Sequence, residues 1–237
     1  LEPAKEFQTP EAVMTYTADG MNQLSQQLAA FYEEHLVNAK YKRMERPILV
    51  NNWEATYFDF TDKKLMPIVK QAKKLGIEMF VLDDGWFADL KKLPKGISTF
   101  ADEVHDLGLK FGLWFEPEMI SIDSKLYQKH PDWMIHTPKR RATPERNQYV
   151  LDFSRPEVVD YIYKMMSKVI KETKLDYIKW DMNRYITEMY STALPADRQL
   201  EMPHRYILGV YNLYASLTQA YPDVLFESCA SGGGRFD

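Results

Sequence analysis

The feature that most constrains the fold is a strand–helix unit that repeats along the chain from Ile48 onward. Two returns from a helix to the next strand are near copies and lie 32 positions apart: Leu75-Gly76-Ile77-Glu78-Met79-Phe80 and Leu107-Gly108-Leu109-Lys110-Phe111-Gly112. Each glycine follows a helical stripe of apolar residues, which is typical of a helix C-terminal cap. Apolar strands that alternate with helices indicate a parallel sheet covered by helices.

Six strands are predicted, and they lie at 48–50, 78–82, 110–115, 149–153, within 175–184 and at 224–229. Helical periodicity predicts helices over about 21–36, 62–75, 97–107, 156–170 and 204–220. A doubly wound open sheet and an eight-stranded barrel both fit this order. The first strand lacks the glycine-rich phosphate loop of nucleotide-binding open sheets, whereas polar and aromatic residues follow every strand, as at one face of a barrel. We therefore predict an α/β fold of the (β/α)8 TIM-barrel type, with about six of eight strand–helix units present.

The 237 residues suit one domain with a remnant of a second. Residues 1–20 are rich in turn signals and are predicted to be the tail of a preceding domain and a linker. Residues 21–237 are predicted to form the barrel domain, incomplete at its C-terminus. The start, without an initiator methionine or signal-peptide pattern, predicts a fragment or a processed product.

Charge and cysteine content narrow the classes of partner and compartment. The net charge is −4 and the pI is about 5.8, with both signs mixed along the chain, so we expect no nucleic-acid or membrane partner. No apolar run approaches the roughly 20 residues of a membrane span. Cys229 is the only cysteine, which leaves no intrachain disulfide and predicts a reducing, cytoplasmic location.

The stretch 175–184 ends a strand in charged groups. Lys179, Asp181 and Asn183 alternate onto one face, while Ile178 and Trp180 point to the other. A lysine beside an acid favours the ionised carboxylate, and an ionised, positioned carboxylate is the nucleophile of covalent glycosidases. A salt-bridged strand end without a catalytic role fits this stretch equally well.

Carboxylates stand at six consecutive strand ends, with tryptophans beside them. This set of strand-end residues comprises Trp53, Glu54, Asp83, Asp84, Trp86, Trp114, Glu116, Glu118, Asp152, Lys179, Asp181, Asn183, Glu227 and Cys229. Such acids could hold a divalent metal ion or accept hydrogen bonds from sugar hydroxyls. Tryptophans stack on a pyranose face and have no use at a hard metal site, so the set favours a carbohydrate. No histidine has metal-ligand spacing, and we expect neither a metal nor a cofactor.

Six ordered motifs resemble the α-galactosidases of glycoside hydrolase family 36. They are Asn51-Asn52-Trp53-Glu54-Ala55, Leu82-Asp83-Asp84-Gly85-Trp86-Phe87, Trp114-Phe115-Glu116-Pro117-Glu118-Met119, Arg146-Asn147-Gln148-Tyr149-Val150-Leu151-Asp152, Lys179-Trp180-Asp181-Met182-Asn183-Arg184 and Cys229-Ala230-Ser231-Gly232-Gly233-Gly234-Arg235-Phe236-Asp237. They run through nearly the whole chain in the order expected of that family.

The resemblance implies a retaining hydrolase of terminal α-galactosides such as melibiose and raffinose, with Asp181 as the nucleophile. It implies that the galactose contacts are Trp53, Asp83, Asp84, Trp114, Arg146, Lys179, Asn183, Cys229 and Gly232. Arg146 and Cys229 owe their place chiefly to the family. The resemblance also implies that the parent enzyme is homo-oligomeric.

The sequence departs from the family pattern in three ways. Only the first 20 or so residues could belong to the β-sandwich that precedes the family's barrel, and the family's loop after Phe87 is shorter here. The acid/base aspartate of the family follows the seventh barrel strand, so we expect it beyond the end of this chain. Asp237 follows the sixth strand, and we do not expect it to replace that acid.

Three alternatives remain open. The chain could bind galactose without catalysis, or it could be a transglycosylase of the raffinose-synthase kind. A metal-dependent lyase or isomerase on a barrel is the third, because acids at a barrel mouth also serve that chemistry.

Overall fold

The computed structural model describes residues 11–87 and 91–230, together with Ala4, Glu6, Phe7 and Thr9. The chain divides into two compact units, Leu1–Glu45 and Arg46–Phe236. In the first unit, helix α1 (Met21–His35) follows the predicted helical pattern, and an ion pair joins Lys42 to Glu34 at 2.8 Å. The predicted domain boundary after residue 20 stays a prediction.

The second unit contains a parallel sheet with helices between its strands. Its elements in chain order are β1 (Leu49–Asn51), α2 (Trp53–Thr56), α3 (Asp62–Lys74), β2 (Met79–Leu82), α4 (Ile97–Asp106), β3 (Lys110–Phe115), β4 (Met119–Ile120), α5 (Lys125–Lys129), β5 (Tyr149–Val150), α6 (Pro156–Thr173), β6 (Tyr177–Trp180), α7 (Met202–Ala220) and β7 (Leu225–Ser228). Two short 3-10 helices lie at Pro131–Trp133 and Ala196–Glu201.

Within the described residues, the parallel sheet has five strands in the order β1-β2-β3-β6-β7. The strands therefore follow one another across the sheet in chain order. A doubly wound sheet reverses its strand order at a switch point, whereas a barrel does not. The order thus favours the predicted barrel type over the open sheet.

The fourth predicted strand does not join this sheet. Tyr149–Val150 pairs antiparallel with Met119–Ile120 in a separate two-stranded sheet, with Met119 opposite Val150. The prediction of six barrel strands was therefore wrong by one for the described residues. The apolar run at 149–153 is real, but a run of this length does not specify which strand it will pair with.

Side-chain parity along the strands separates two faces of the sheet. Met79, Val81 and Tyr177, with Leu225 beside them, form a small cluster on one face. Their neighbours on the strands, such as Phe80 and Ile178, belong to the main core shared with the helices. The small cluster thus lies on the face away from the helices, the inner face of a barrel, and a residue two positions further along the same strand continues that face.

The helices begin and end where the sequence signals lie. α3 and α4 end just before Gly76 and Gly108, which have φ angles of +81° and +75°, as the two matching returns predict. α6 begins at Pro156, where a missing N–H costs nothing. Among the described residues, no helix combines the length and apolar character that a bilayer crossing needs.

Candidate active site

Strand parity brings the predicted site residues to one end of the sheet. Met79 and Val81 on β2 lead to Asp83, while Tyr177 on β6 leads to Lys179 and Asp181. Trp114 pairs with Lys179, and Lys179 pairs with Glu227 on β7. The polar groups therefore stand above the apolar inner cluster, at the carboxyl ends of the strands, where barrels carry their active sites.

Asp181 is buried, and its carboxylate accepts several hydrogen bonds. Oδ2 accepts from Trp114 Nε1 at 2.9 Å and from Asn183 Nδ2 at 2.6 Å, while Oδ1 accepts from the Met182 backbone N–H at 2.9 Å. Its own backbone N–H donates to the Phe115 carbonyl at 2.8 Å, which fixes the strand end. Both carboxylate oxygens are thus held by neutral donors.

These contacts keep the carboxyl of Asp181 ionised. Burial acts to raise its pKa and is the largest single influence. Hydrogen bonds from Trp114, Asn183 and Cys229, together with the Lys179 ammonium, outweigh burial and hold the pKa of Asp181 below its ordinary value. The sequence attributed the ionised state of Asp181 to Lys179. In the structure, each of the three hydrogen bonds lowers the pKa of Asp181 more than Lys179 does.

The direct partner of Lys179 is Asp83. Lys179 Nζ lies 3.1 Å from Asp83 Oδ2, and Asn51 Nδ2 donates to the same oxygen at 2.5 Å. Asp83 Oδ1 accepts from the Asp84 backbone N–H at 2.9 Å. Asn51 was not predicted as a site residue, although strand parity places it on the inner face of β1, opposite Val81.

Asp84 lies between one cation and two acids. Arg146 Nη2 lies 3.5 Å from Asp84 Oδ2, and Arg146 Nη1 lies 3.4 Å from Glu116 Oε1. Burial raises the pKa of Asp84 to about 6. Arg146 opposes this shift, while Glu116 and Asp83 add to it and the Gly85 backbone N–H opposes it. Arg146 therefore faces both Asp84 and Glu116.

The two tryptophans predicted to contact the sugar, Trp53 and Trp114, differ in exposure. Trp53 is half-buried, and its ring meets those of Tyr57 and Phe58 edge-on, with centroids 5.2 and 5.0 Å apart. Trp114 is 2% exposed, and its indole N–H is the donor to Asp181, while the exposed Phe87 stacks parallel to it. Trp114 thus fixes the carboxylate, and its role as a sugar wall stays a prediction.

Cys229 follows β7, which pairs with β6, the strand that leads to Asp181. Its backbone N–H donates to the Trp180 carbonyl at 2.7 Å, and its carbonyl accepts from the Met182 N–H at 3.2 Å. Its side chain contributes one of the hydrogen bonds that lower the pKa of Asp181. Gly232 lies outside the described residues.

Two of the strand-end acids lie away from this group. Asp152 is 1% exposed and is held by Ser154, Arg155 and Ser191. Glu118 accepts from Trp180 Nε1 at 3.1 Å and from Tyr206 Oη at 2.6 Å, which places it on the helix side of β6. Within the part of the chain described, no group of three or more His, Cys, Asp or Glu residues is arranged to hold a metal ion.

Asp84→Asn is expected to raise the free energy of unfolding at pH 7 by up to about 3 kcal/mol and to have little effect near pH 4. A carboxyl with a raised pKa contributes stability that is present below its unfolded pKa, near 4, and is lost as the pH rises through about 6. Urea unfolding of both proteins across this range measures the difference. The exposed Asp160→Asn on α6 is the control, and a variant that loses stability at pH 7 relative to pH 4 contradicts the expectation.

The backbone at Arg146 is strained in a way that glycine would relieve. Arg146 and Asn147 have φ angles of +52° and +59°, and the flanking residues Glu145 and Gln148 exchange backbone hydrogen bonds at 3.1 and 2.9 Å. This is a two-residue hairpin that needs positive φ at both central positions. An arginine there costs about 1 kcal/mol or more in backbone energy.

Arg146→Gly is therefore expected to be about 1 kcal/mol more stable than Arg146→Ala, because only the alanine keeps the strain. Both variants lose the guanidinium that faces Asp84, so this loss does not separate them. Urea unfolding measures the difference, and equal stability of the two variants contradicts the expectation.

The chain is similar to known proteins over nearly its whole length. Residues 6–237 match the family model described as Melibiase. Alpha-galactosidase Mel36A of Lactobacillus acidophilus is 53% identical over the whole chain, which spans 34% of that relative.

Solved structures agree with the fold. The alpha-galactosidase from Lactobacillus brevis superposes with a TM-score of 0.88 at 66% identity, over 93% of this chain and 32% of its own. A variant of the alpha-galactosidase AgaA from Geobacillus stearothermophilus in complex with stachyose gives a TM-score of 0.95 at 48% identity, over 100% of this chain and 35% of that one. A raffinose complex of an AgaA variant gives a TM-score of 0.88 at 48% identity, over 91% of this chain and 32% of that one. These likenesses confirm the TIM-barrel fold class, and the chain spans about a third of the length of its relatives.

Proposed function

The chain belongs to the Melibiase family, glycoside hydrolase family 36, and from this membership we propose that it carries the nucleophile and most of the galactose-binding subsite of a retaining α-galactosidase. The proposed substrates are terminal α-galactosides of the melibiose and raffinose type. Complexes of the AgaA variants with stachyose and raffinose support this class of substrate.

The observation that carries the proposal is the state of Asp181. A buried carboxylate kept ionised by neutral donors is ready to form a bond without first losing a proton. In the proposed first step, a carboxylate oxygen of Asp181 bonds to the anomeric carbon of galactose while the bond to the leaving oxygen breaks. Water then cleaves the galactosyl ester, and two inversions retain the configuration.

The groups around Asp181 are suited to bind the sugar. Asp83 and Asp84 are carboxylates that can each accept from sugar hydroxyls, and Lys179 and Arg146 are cations that can donate to them. Because Asp83 is paired with Lys179 and Asp84 with Arg146, each charged group already has a partner and can add a hydrogen bond to a sugar hydroxyl. We propose these four residues, with Trp53, Trp114, Asn183, Cys229 and Gly232, as the galactose contacts.

A fluorinated probe tests the nucleophile directly. 2-Deoxy-2-fluoro-α-galactosyl fluoride has a leaving group that needs no protonation, so the first step depends on Asp181 and not on a separate acid. We expect one fluorogalactosyl adduct on the peptide that contains Asp181, found by mass spectrometry after proteolysis. An adduct on another residue, or one that persists in Asp181→Ala, refutes the assignment.

Two further measurements separate the alternatives. Galactose binding by calorimetry without any adduct supports a binding function alone. Products in which galactose is transferred to an added sugar faster than to water support a transglycosylase. A cytoplasmic location and a homo-oligomeric parent enzyme are part of the proposal.

A further inference from the structure

Glu116 is a buried carboxylate between two parts of the candidate site. It follows β3 two positions after Trp114, so both side chains leave the strand toward its inner face. Its side chain is 2% exposed. Glu116 is one of the strand-end acids of the sequence, but neither the motifs nor the proposed mechanism gives it a role.

One oxygen of Glu116 makes two contacts to the site. Oε1 accepts a hydrogen bond from the Asn183 backbone N–H at 2.8 Å, and Arg146 Nη1 donates to the same oxygen at 3.4 Å. Asn183 in turn donates its side-chain amide to Asp181, and Arg146 reaches Asp84. Glu116 therefore lies one residue away from the nucleophile on one side and one residue away from Asp84 on the other.

The other carboxylate oxygen of Glu116, Oε2, is buried and has no hydrogen-bond partner among the described residues. A buried carboxylate oxygen left unpaired is destabilising by at least about 1–3 kcal/mol. Because one of its two oxygens is unpaired, this carboxylate does not serve the stability of the fold well, which argues against a purely structural role.

We infer that Glu116 is a positioning residue that holds the Asn183 amide on the nucleophile and Arg146 against Asp84. The inference rests on the proposed function, since it assigns a role in the same site. Glu116 does not touch the reacting atoms in this arrangement and acts through Asn183 and Arg146. The influence of its charge on Asp84 is already present in the raised pKa of that acid.

Two substitutions separate the two contacts. Glu116→Ala removes the acceptor of the Asn183 N–H and the charge facing Arg146. Glu116→Gln keeps an oxygen acceptor for Asn183, removes the charge and replaces the unpaired oxygen with an amide NH2. Glu118→Gln is the matched control, because it changes the same kind of buried side chain two positions away, where it binds Trp180 and Tyr206 instead.

The rate of labelling by 2-deoxy-2-fluoro-α-galactosyl fluoride is the readout. We expect the maximal rate constant to fall about 10²-fold in Glu116→Ala, because the nucleophile loses its orientation. Glu116→Gln is expected to keep most of the maximal rate but to need more probe for half-maximal labelling, since Arg146 is no longer held. A merely structural role would lower the fraction of protein that labels and leave the rate constant unchanged, as expected for Glu118→Gln.

Several results would overturn the inference. A folded Glu116→Ala variant that is labelled at the wild-type rate constant contradicts the inference. A Glu116→Gln variant that is labelled as slowly as Glu116→Ala also contradicts it. If the alanine variant does not fold, Glu116→Gln decides, and an unchanged probe requirement counts against the inference. A wild-type protein that is not labelled at Asp181 refutes the proposed function itself, so the two failures are distinguishable.

Discussion

Asp181→Ala is expected to reduce the cleavage of an α-galactoside with an activated leaving group by about 10⁴-fold or more. Removal of a covalent nucleophile leaves only binding and electrostatic effects to accelerate the reaction. Trp114, Asn183 and Cys229, which hold the Asp181 carboxylate in the folded protein, then face an alanine. Initial rates on dinitrophenyl α-galactoside measure the loss.

Azide distinguishes a lost nucleophile from a damaged site. The alanine variant leaves space where the carboxylate stood, and azide entering from that side is expected to restore cleavage and to yield β-galactosyl azide. Asp160→Ala, on the exposed face of α6, is expected to react like the wild type and to be unaffected by azide. Wild-type rates in Asp181→Ala, or a rescued product of α configuration, contradict the proposed role.

Gly209→Ala is expected to lower the free energy of unfolding by about 3 kcal/mol or more. An alanine Cβ at this position of α7 would lie 1.9 Å from the Phe153 carbonyl oxygen and 2.9 Å from its carbonyl carbon. Both are backbone atoms and cannot rotate away, so the helix or the segment after β5 must move. Without this contact, the same substitution would favour the helix by about 1 kcal/mol.

The measurement is thermal or urea unfolding, and the melting temperature is expected to fall by roughly 6–12 °C. Asn212→Ala, one turn further along α7 on an exposed position, is the matched control and is expected to be neutral or slightly stabilising. Because Phe153 follows the buried Asp152 and packs against Tyr206, the clash also disturbs the hydrogen bonds of Asp152. A Gly209→Ala protein as stable as the control would show that α7 does not pack closely on Phe153.

The candidate site was predictable to the extent that strand parity governs it. Lys179, Asp181 and Asn183 alternate onto one face, as the sequence indicates, and Trp180 packs on the other side against Tyr214 of α7. The same rule would have found Asn51, which was missed because an amide at a strand end has no distinctive chemistry by itself. Arg146 was accessible only through the family motif, because nothing local in the sequence links it to Asp84.

The pairing of charges was not predictable. Lys179 lies two positions from Asp181, which suggested that these two residues act mainly on each other. In the structure Lys179 binds Asp83, 96 positions away, and Asp181 is held by the indole of Trp114, 67 positions away. Trp114 lies on β3 and Asp181 directly follows the adjacent strand β6, whereas Asp83 and Lys179 meet across β3, which lies between β2 and β6.

The sequence by itself determined the five longer helices, the five strands of the parallel sheet and the face on which the strand-end side chains stand. These depend on local periodicity, on glycine and proline signals and on the alternation of side chains along a strand. Only the tertiary structure decided that Tyr149–Val150 leaves the parallel sheet, that Glu116 joins Asn183 to Arg146, and which base each acid meets. Those outcomes depend on segments brought together from distant positions, and no local pattern encodes the distance between them.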